Sequence, residues 1–378
     1  MRKLSTRAEF LSMACGTLGA VTGSFVPPDV TALIERARSW RYATVVGWMV
    51  LGISAIVCIW SIKLWCDWQF SIAPPWSDWQ TEANAVNRVL AHQPLYAPEQ
   101  LSGPYYMTSV ILRGWTYPPA SIIPLLPFKD EPLGLYAWIV LNIGLFVGGL
   151  AAILRRELGR SFVPWPFAFV LFGLAAFRPF GEGVAAGNVN VALAGLYALC
   201  WASDERSRWI APVAGIAATF KLFPGLMVLW AVRRQGFRPI VIAVGTFLAL
   251  CLLSVPLVGV QTWRDFITTL VNARPPCQSY NTLSIACVYS QLTGVTVAKL
   301  IGYGFVAVFA VSTLLVKDRF WAFVLLGATM LAGVTDMHLH FWVFGYVVLV
   351  VGMTRVYART RPQGAVRVSS SPWPQNSS

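Results

Sequence analysis

The chain has 378 residues, 56% of them hydrophobic and 12% charged, with 29 Lys and Arg against 16 Asp and Glu. Soluble domains carry about 25% charged residues, so this balance, with a mean hydropathy of +0.61, excludes an ordinary soluble enzyme. Apolar runs of about 20 residues, long enough to cross a bilayer as helices, recur along most of the length, and the weak ~10-residue alternation of a transmembrane barrel is absent. The net charge of +13 sits in short segments between the apolar runs, which is a topology signal and argues against a nucleic-acid partner.

Residues 1–42 form a basic extension carrying Arg2, Lys3, Arg7, Arg36, Arg38 and Arg41. Glu9 interrupts its basic start and its middle is only mildly apolar, so it reads as a cytoplasmic arm and not as a signal peptide. Residues 43–65 make the first span. The longest polar interval follows, an external loop over residues 66–116. Here Pro-Pro-Trp-Ser precedes Asp78, an amphipathic segment comes next, and Thr-Tyr-Pro-Pro closes the interval at residues 116–119. Residues 117–128 are apolar but carry four prolines and are too short to span.

Spans are expected at 133–154, 162–177, 187–202, 239–258, 295–316, 320–334 and 341–357. Arg178 to Gly183 reads as a polar turn, and Gly187-Asn188-Val189-Asn190 opens a helix. Residues 209–230 are apolar but interrupted by Lys221 and Pro224, with basic flanks on both sides. That segment is expected to dip into the bilayer and return, because irregular backbone at depth is tolerated only where it lines a protein cavity. A second polar loop, residues 259–291, holds Asp265, Arg274, Cys277 and Asn281. Residues 358–378 form a Pro/Ser-rich cytoplasmic tail.

Seven cysteines show no CxxC or Cys/His spacing. Cys277 and Cys287 share a loop, which leaves a disulfide open if that loop faces an oxidising compartment. No phosphate-binding loop, nucleophile elbow or HExxH is present, and no internal repeat of the kind transporters carry.

About twenty of the 29 basic residues fall in segments that the positive-inside rule puts together on the cytoplasmic side. Both termini are then cytoplasmic. Asp78, Tyr117, Arg178, Glu182, Asn188, Asn190, Asn281, Asp336, His338 and His340 gather at the external face. Lys221 reaches the same region from within the bilayer, about 18 Å in at 1.5 Å per residue.

A lysine in an apolar helix marks a function by default, unless it serves as a structural ion-pair partner. Asp78 is either an N-cap or the base of a reaction. Arg178 and Glu182 can pair with one another. Asn190, inside the apolar run, must find a hydrogen-bond partner. His338 and His340, two apart, would lie on different helix faces. No metal site is expected: Asp78 is not part of a DxD pair.

Asp78, Ala85, Leu90, Leu95-Tyr96 and Tyr117-Pro118-Pro119 come in that order. Gly187-Asn188-Val189-Asn190 follows, then Ala214-Gly215 with Lys221-Leu222-Phe223-Pro224, and then Asn281. Over residues 43–357 this order resembles glycosyltransferase family 87, integral-membrane enzymes of the GT-C class that use polyprenyl-phosphate sugars. Two departures stand out. The family's usual Gly-Gln-x-Asn is Gly-Asn-Val-Asn here, and the segment before the last helix reads Asp-Met-His-Leu-His.

The resemblance implies an all-α polytopic membrane protein, a GT-C-like bundle of about 9–11 transmembrane or re-entrant helices with a large first external loop. It implies a mannosyltransferase-like enzyme of the bacterial plasma membrane. Its partners would be a polyprenyl-phosphate-linked sugar donor, a glycan or glycolipid acceptor and the lipid bilayer, with no cofactor and no metal. Asp78 would be the catalytic base and Lys221 or Arg178 the phosphate-binding cation. Tyr96, Tyr117, Asn188, Asn190, Asn281 and His338 would bind substrate. The rival reading is a transporter or flippase for a lipid-linked sugar, which also needs intramembrane charge and a broken helix.

Overall fold

In the computed structural model, residues 40–72, 74–106, 114–159, 164–274, 295–334 and 338–360 are described. The two chain ends, Asn281, Asp336, Cys277 and Cys287 lie outside them. Among the described residues, regular structure is helical apart from a two-residue parallel pairing of Tyr105–Tyr106 with Ala273–Arg274.

The helices, in chain order, are α1 (Trp40–Ile72), α2 (Ser77–Leu90), α3 (Leu133–Leu158), α4 (Pro164–Ala175), α5 (Arg178–Ala186) and α6 (Asn190–Ala202). They continue with α7 (Ile210–Phe220), α8 (Val228–Gln235), α9 (Arg238–Asn272), α10 (Val295–Leu315), α11 (Arg319–Ala332) and α12 (Val343–Thr360). Among the described residues, five helices are long and apolar enough to cross a bilayer, and α4 with α5, bent by 70°, makes a sixth if taken as one span. Pro119–Phe128, α6, α7 and α11 are shorter apolar helices. The protein is therefore an all-α polytopic membrane protein.

The breaks have local causes. Prolines at 119, 124 and 127 split the Pro119–Phe128 segment into short 3-10 and α turns, since each proline lacks a donor and clashes with the preceding turn. Lys221 is extended (φ −145°, ψ 135°) and ends α7; Pro224 then opens the 3-10 turn Phe223–Met227 that leads into α8. The expected interruption at Lys221–Pro224 is thus present. The expected polar turn at Arg178 is not a turn. Phe177 leaves helical geometry and Pro179, which tolerates the first helical turn, starts α5. The second polar loop also begins later than its composition suggests, because α9 runs on to Asn272 through a break at Gly259 (φ 79°).

In a membrane, helix association rests on close backbone approach at small residues. A Cβ on Gly149 of α3 would stand 2.6 Å from the Gly195 carbonyl oxygen of α6. Tyr197 of α6 stacks on Phe323 of α11 at 4.1 Å and donates its hydroxyl to the Phe323 carbonyl at 2.5 Å.

The far end of α6 is tied by charge. Glu205 is buried and meets Arg233 at 3.2 Å, Arg234 at 3.1 Å and Arg319 at 3.6 Å. Arg319 and Arg156 both donate to the Ser203 carbonyl, at 2.8 and 2.7 Å. Cations are favoured there, because the carbonyls that end a helix carry partial negative charge. α6 therefore runs from a polar cluster at Asn190 to a basic cluster at Ala202, about 20 Å apart at 1.5 Å per residue.

Candidate functional site

The site is built where α2 docks on the turn between α5 and α6. Trp76 adopts a left-handed conformation (φ 53°) just before α2, and its backbone N–H donates to the Ala185 carbonyl of α5 at 3.3 Å. Trp79 is buried and its indole N–H donates to the Phe128 carbonyl at 3.0 Å. Trp79 is thereby an anchor for α2, and a sugar-stacking platform would need its face free. Gly187 (φ +70°) closes the contact: a Cβ there would stand 2.8 Å from the Trp79 Cβ. The Trp138 indole N–H fixes the same turn by donating to the Gly187 carbonyl at 2.7 Å.

This docking sets Asp78 against Asn188. The Asn188 side-chain amide nitrogen donates to the Asp78 carboxylate, while the side-chain oxygen of Asn188 (Oδ1) accepts the Asn190 backbone N–H at 2.8 Å. Asp78 lies inside the first turn of α2 and does not cap it; Trp76 holds the cap position. Its negative charge still suits a helix N-terminus.

Asp78 belongs to a closed circuit of ionisable groups. Glu82, one turn further along α2, lies within electrostatic reach of Asp78, Lys221 and Tyr117. Lys221 sits over the Tyr117 ring at 5.4 Å and the Phe341 ring at 4.7 Å. It also acts on His340. The His340 and His338 rings stack at 5.6 Å, and His338 in turn acts on Glu182, which also feels Asp78 and Arg178.

Two expectations change here. His338 and His340 face one another, because His338 is extended before the Leu339–Trp342 3-10 turn. Arg178 and Glu182 make no ion pair among the described residues. Arg178 stacks on Trp68 at 4.6 Å and Trp65 at 5.9 Å, and the Arg178 Nε and one Glu182 oxygen lack hydrogen bonds.

The Asn190 side chain is wholly buried, and neither its oxygen nor its nitrogen has a hydrogen-bond partner. The partner expected for it is not supplied by the described residues. An orphaned buried amide costs about 1–3 kcal/mol, and two such atoms at the start of α6 suit a ligand's hydroxyl groups. Tyr96 is buried one layer back: its hydroxyl donates to the Tyr117 carbonyl at 2.9 Å, and its ring stacks on Phe266 at 6.3 Å. It shapes the segment carrying Tyr117. Among the described residues no three His, Cys, Asp or Glu gather closely enough to hold a metal ion.

The residue that composition did not single out is Glu82. Its signal was available. The buried stripe of α2 is Trp79, Glu82, Ala83, Ala85, Val86 and Val89, so a carboxylate falls on the apolar face of an amphipathic helix, four residues from Asp78.

A helical membrane bundle with a carboxylate, a cation and an orphaned amide gathered at one end is an integral-membrane protein with a polar cluster among its helices. Residues 115–371, more than half of the chain, match the profile of glycosyltransferase family 87. The chain belongs to this family and is a membrane glycosyltransferase. The matched stretch begins after α2, so Asp78 and Glu82 lie outside it. No curated protein and no solved structure matches the chain.

Proposed function

We propose that this glycosyltransferase moves a hexose, mannose-like, from a polyprenyl-phosphate sugar to an acceptor hydroxyl at the external face of a bacterial plasma membrane, with inversion at the anomeric carbon. The observation that carries the reading is the Asn188–Asp78 hydrogen bond, which holds a carboxylate in the same cluster of ionisable groups as Lys221. Asp78 accepts the acceptor's hydroxyl proton as its oxygen bonds to the anomeric carbon. The bond from that carbon to phosphate breaks, and its electron pair leaves on the phosphate oxygen of the polyprenyl phosphate. A fixed cation at that oxygen lowers the barrier because charge develops there; Lys221 takes this role, with Arg178 as the alternate. Asn190 and Asn188 offer hydrogen bonds to sugar hydroxyls, beside Tyr117 and His338, and Asn281 is proposed to join them.

A lipid-borne donor needs an apolar track next to the cation. A cavity of about 180 Å³ is lined by Ala214, Gly215, Ala218, Leu222, Gly225 and Phe247 among others, Leu222 being the residue that follows Lys221 in sequence. Its small residues leave room for a branched chain, which supports the polyprenyl reading.

The test is purified protein in vesicles with a panel of polyprenyl-phosphate hexoses and glycolipid acceptors. Release of polyprenyl phosphate with a new glycosidic product is expected. Movement of the intact donor across the bilayer with no product would replace the reading with a flippase. Orientation is checked in a cysteine-free background: His92→Cys should label from outside and Arg206→Cys only after permeabilisation, and the reverse would invert the topology.

A further inference from the structure

Helix α9 is longer than a membrane needs. Its 35 residues would reach about 50 Å at 1.5 Å per residue, against a hydrocarbon core of about 30 Å. The stretch from Arg238 to Gly259 already covers about 32 Å, so Gly259 falls at the bilayer boundary opposite Arg238. There the helix kinks: Gly259 takes φ 79°, a positive value that glycine adopts without a Cβ clash. The kink is tied across its two sides. The Trp263 indole N–H beyond it donates to the buried Ser254 hydroxyl before it, at 3.3 Å.

Residues 260–272 present three faces. Phe266 and Thr269 are buried, with Thr262 and Trp263 half-buried beside them, and this face packs on the protein. Val260, Ile267, Leu270 and Val271 are 60%, 57%, 39% and 70% exposed, and at 3.6 residues per turn they fall within about 100° of arc. Gln261, Arg264 and Thr268, also exposed, fill the next ~60°. The exposed surface is thus divided lengthwise into an apolar half and a polar half, the division of a helix that lies along a membrane. Before the kink, Leu248, Leu252, Leu253 and Leu257 of the span are exposed as well. The apolar half therefore continues a lipid-facing surface past the point where the span ends.

We propose that residues 260–272 are an interfacial anchor lying in the headgroup layer, with the phospholipid leaflet itself as the partner. Val260, Ile267, Leu270 and Val271 enter the acyl boundary to a depth of about 5–10 Å, as the apolar face of such a helix does. Arg264, at the edge between the two halves, keeps its stem along the apolar side and its guanidinium at the lipid phosphates. A leaflet fits this face better than a protein partner does, because the kink stands at the boundary that the length of the span sets.

The anchor carries part of the site with it. Tyr96 stacks on Phe266, and its hydroxyl holds the Tyr117 carbonyl. The Asn272 side-chain amide donates to the Gln100 and Leu101 carbonyls at 3.0 and 3.4 Å. The leaflet thereby fixes the height of the segment that bears Tyr117. None of this depends on the roles given to Asp78 and Lys221.

The experiment places the full chain, in a cysteine-free background, in phosphatidylcholine nanodiscs. An environment-sensitive fluorophore is attached at Ile267→Cys or Val271→Cys, and for comparison at Gln261→Cys or Thr268→Cys. Lipids brominated near the headgroup end of their chains should quench the first pair, and aqueous iodide the second. Iodide quenching of all four alike would put the helix in water and overturn the proposal. So would stronger quenching of the first pair by bromines near the chain ends, which makes the segment a span, or quenching by neither agent, which means that protein covers the face. Should the cysteine-free chain not fold, a photo-crosslinking side chain in place of Ile267 in the otherwise native chain decides the same question. A lipid adduct is expected, whereas a cross-link to a second copy or to another part of the chain overturns the proposal.

Discussion

The Asp78 carboxylate accepts a hydrogen bond from the Asn188 side-chain amide, across 110 residues of sequence. The polar interval before residue 117 and the membrane bundle meet at that bond. Hydrogen bonds to a charged group contribute about 1.5–3 kcal/mol, so Asn188→Ala should lower turnover about 10- to 100-fold by releasing Asp78 from its position. Asn188→Asp should be worse at neutral pH, because a like charge then faces Asp78. Initial rates with the active donor check both, and an Asn188→Ala enzyme at wild-type rate would remove Asn188 from the site.

Asp78→Asn keeps a side chain of the same shape that can still bond to Asn188, so the fold and donor binding should persist. Turnover should fall about 100- to 10,000-fold, the usual contribution of a general base. If a third of the activity remains, the base is another group, and Asp336 is the first to test.

Lys221→Met removes a lysine from the break after the apolar helix α7, where a charge is costly to bury, so thermal stability should hold or rise. Affinity for the polyprenyl-phosphate donor should fall together with it. Lys221→Arg should recover only part, because a planar fork replaces a point charge. Donor affinity and Tm measured on the same samples separate the roles: a structural cation loses stability and leaves affinity unchanged.

Glu205 makes the opposite case. Glu205→Ala leaves Arg233, itself nearly buried, without its acid, together with Arg234 and Arg319. Removing one partner of a buried ion pair costs about 3–5 kcal/mol. A lower Tm with kcat per folded molecule unchanged is expected, since the network lies at the far end of α6 from Asn190. Unchanged stability would show that the arginines are satisfied by the carbonyls of residues 201–203 and by solvent.

Five of the expected spans, the interruption at Lys221–Pro224 and the helix start at Asn190 were legible, because each is written in a contiguous stretch; residues 187–202 and 320–334, also expected to span, form the shorter helices α6 and α11, and 162–177 forms only α4, half of a bent pair. Apolar length, a proline or an asparagine acts on backbone a few residues away. The turn expected at Arg178 failed for the same reason: glycine, proline and charge signal a turn locally, while packing against α1 and α4 makes that stretch a helix. Asp78 was visible as an acid at the edge of a span, but whether it caps a helix or faces a pocket depended on Asn188.

By itself, the sequence determined an all-helical membrane protein of glycosyltransferase family 87 and most of the polar residues that meet at one end of the bundle. Only the tertiary structure decided which of them touch. Gly187 lets Trp79 approach, Trp79 seats α2, and that seating carries Glu82 inward with Asp78. Periodicity marks Glu82 as lying on the buried face of its helix. Which groups lie across from it is set by packing between segments 35 and 139 residues apart (Tyr117 and Lys221), and no local pattern encodes such a distance.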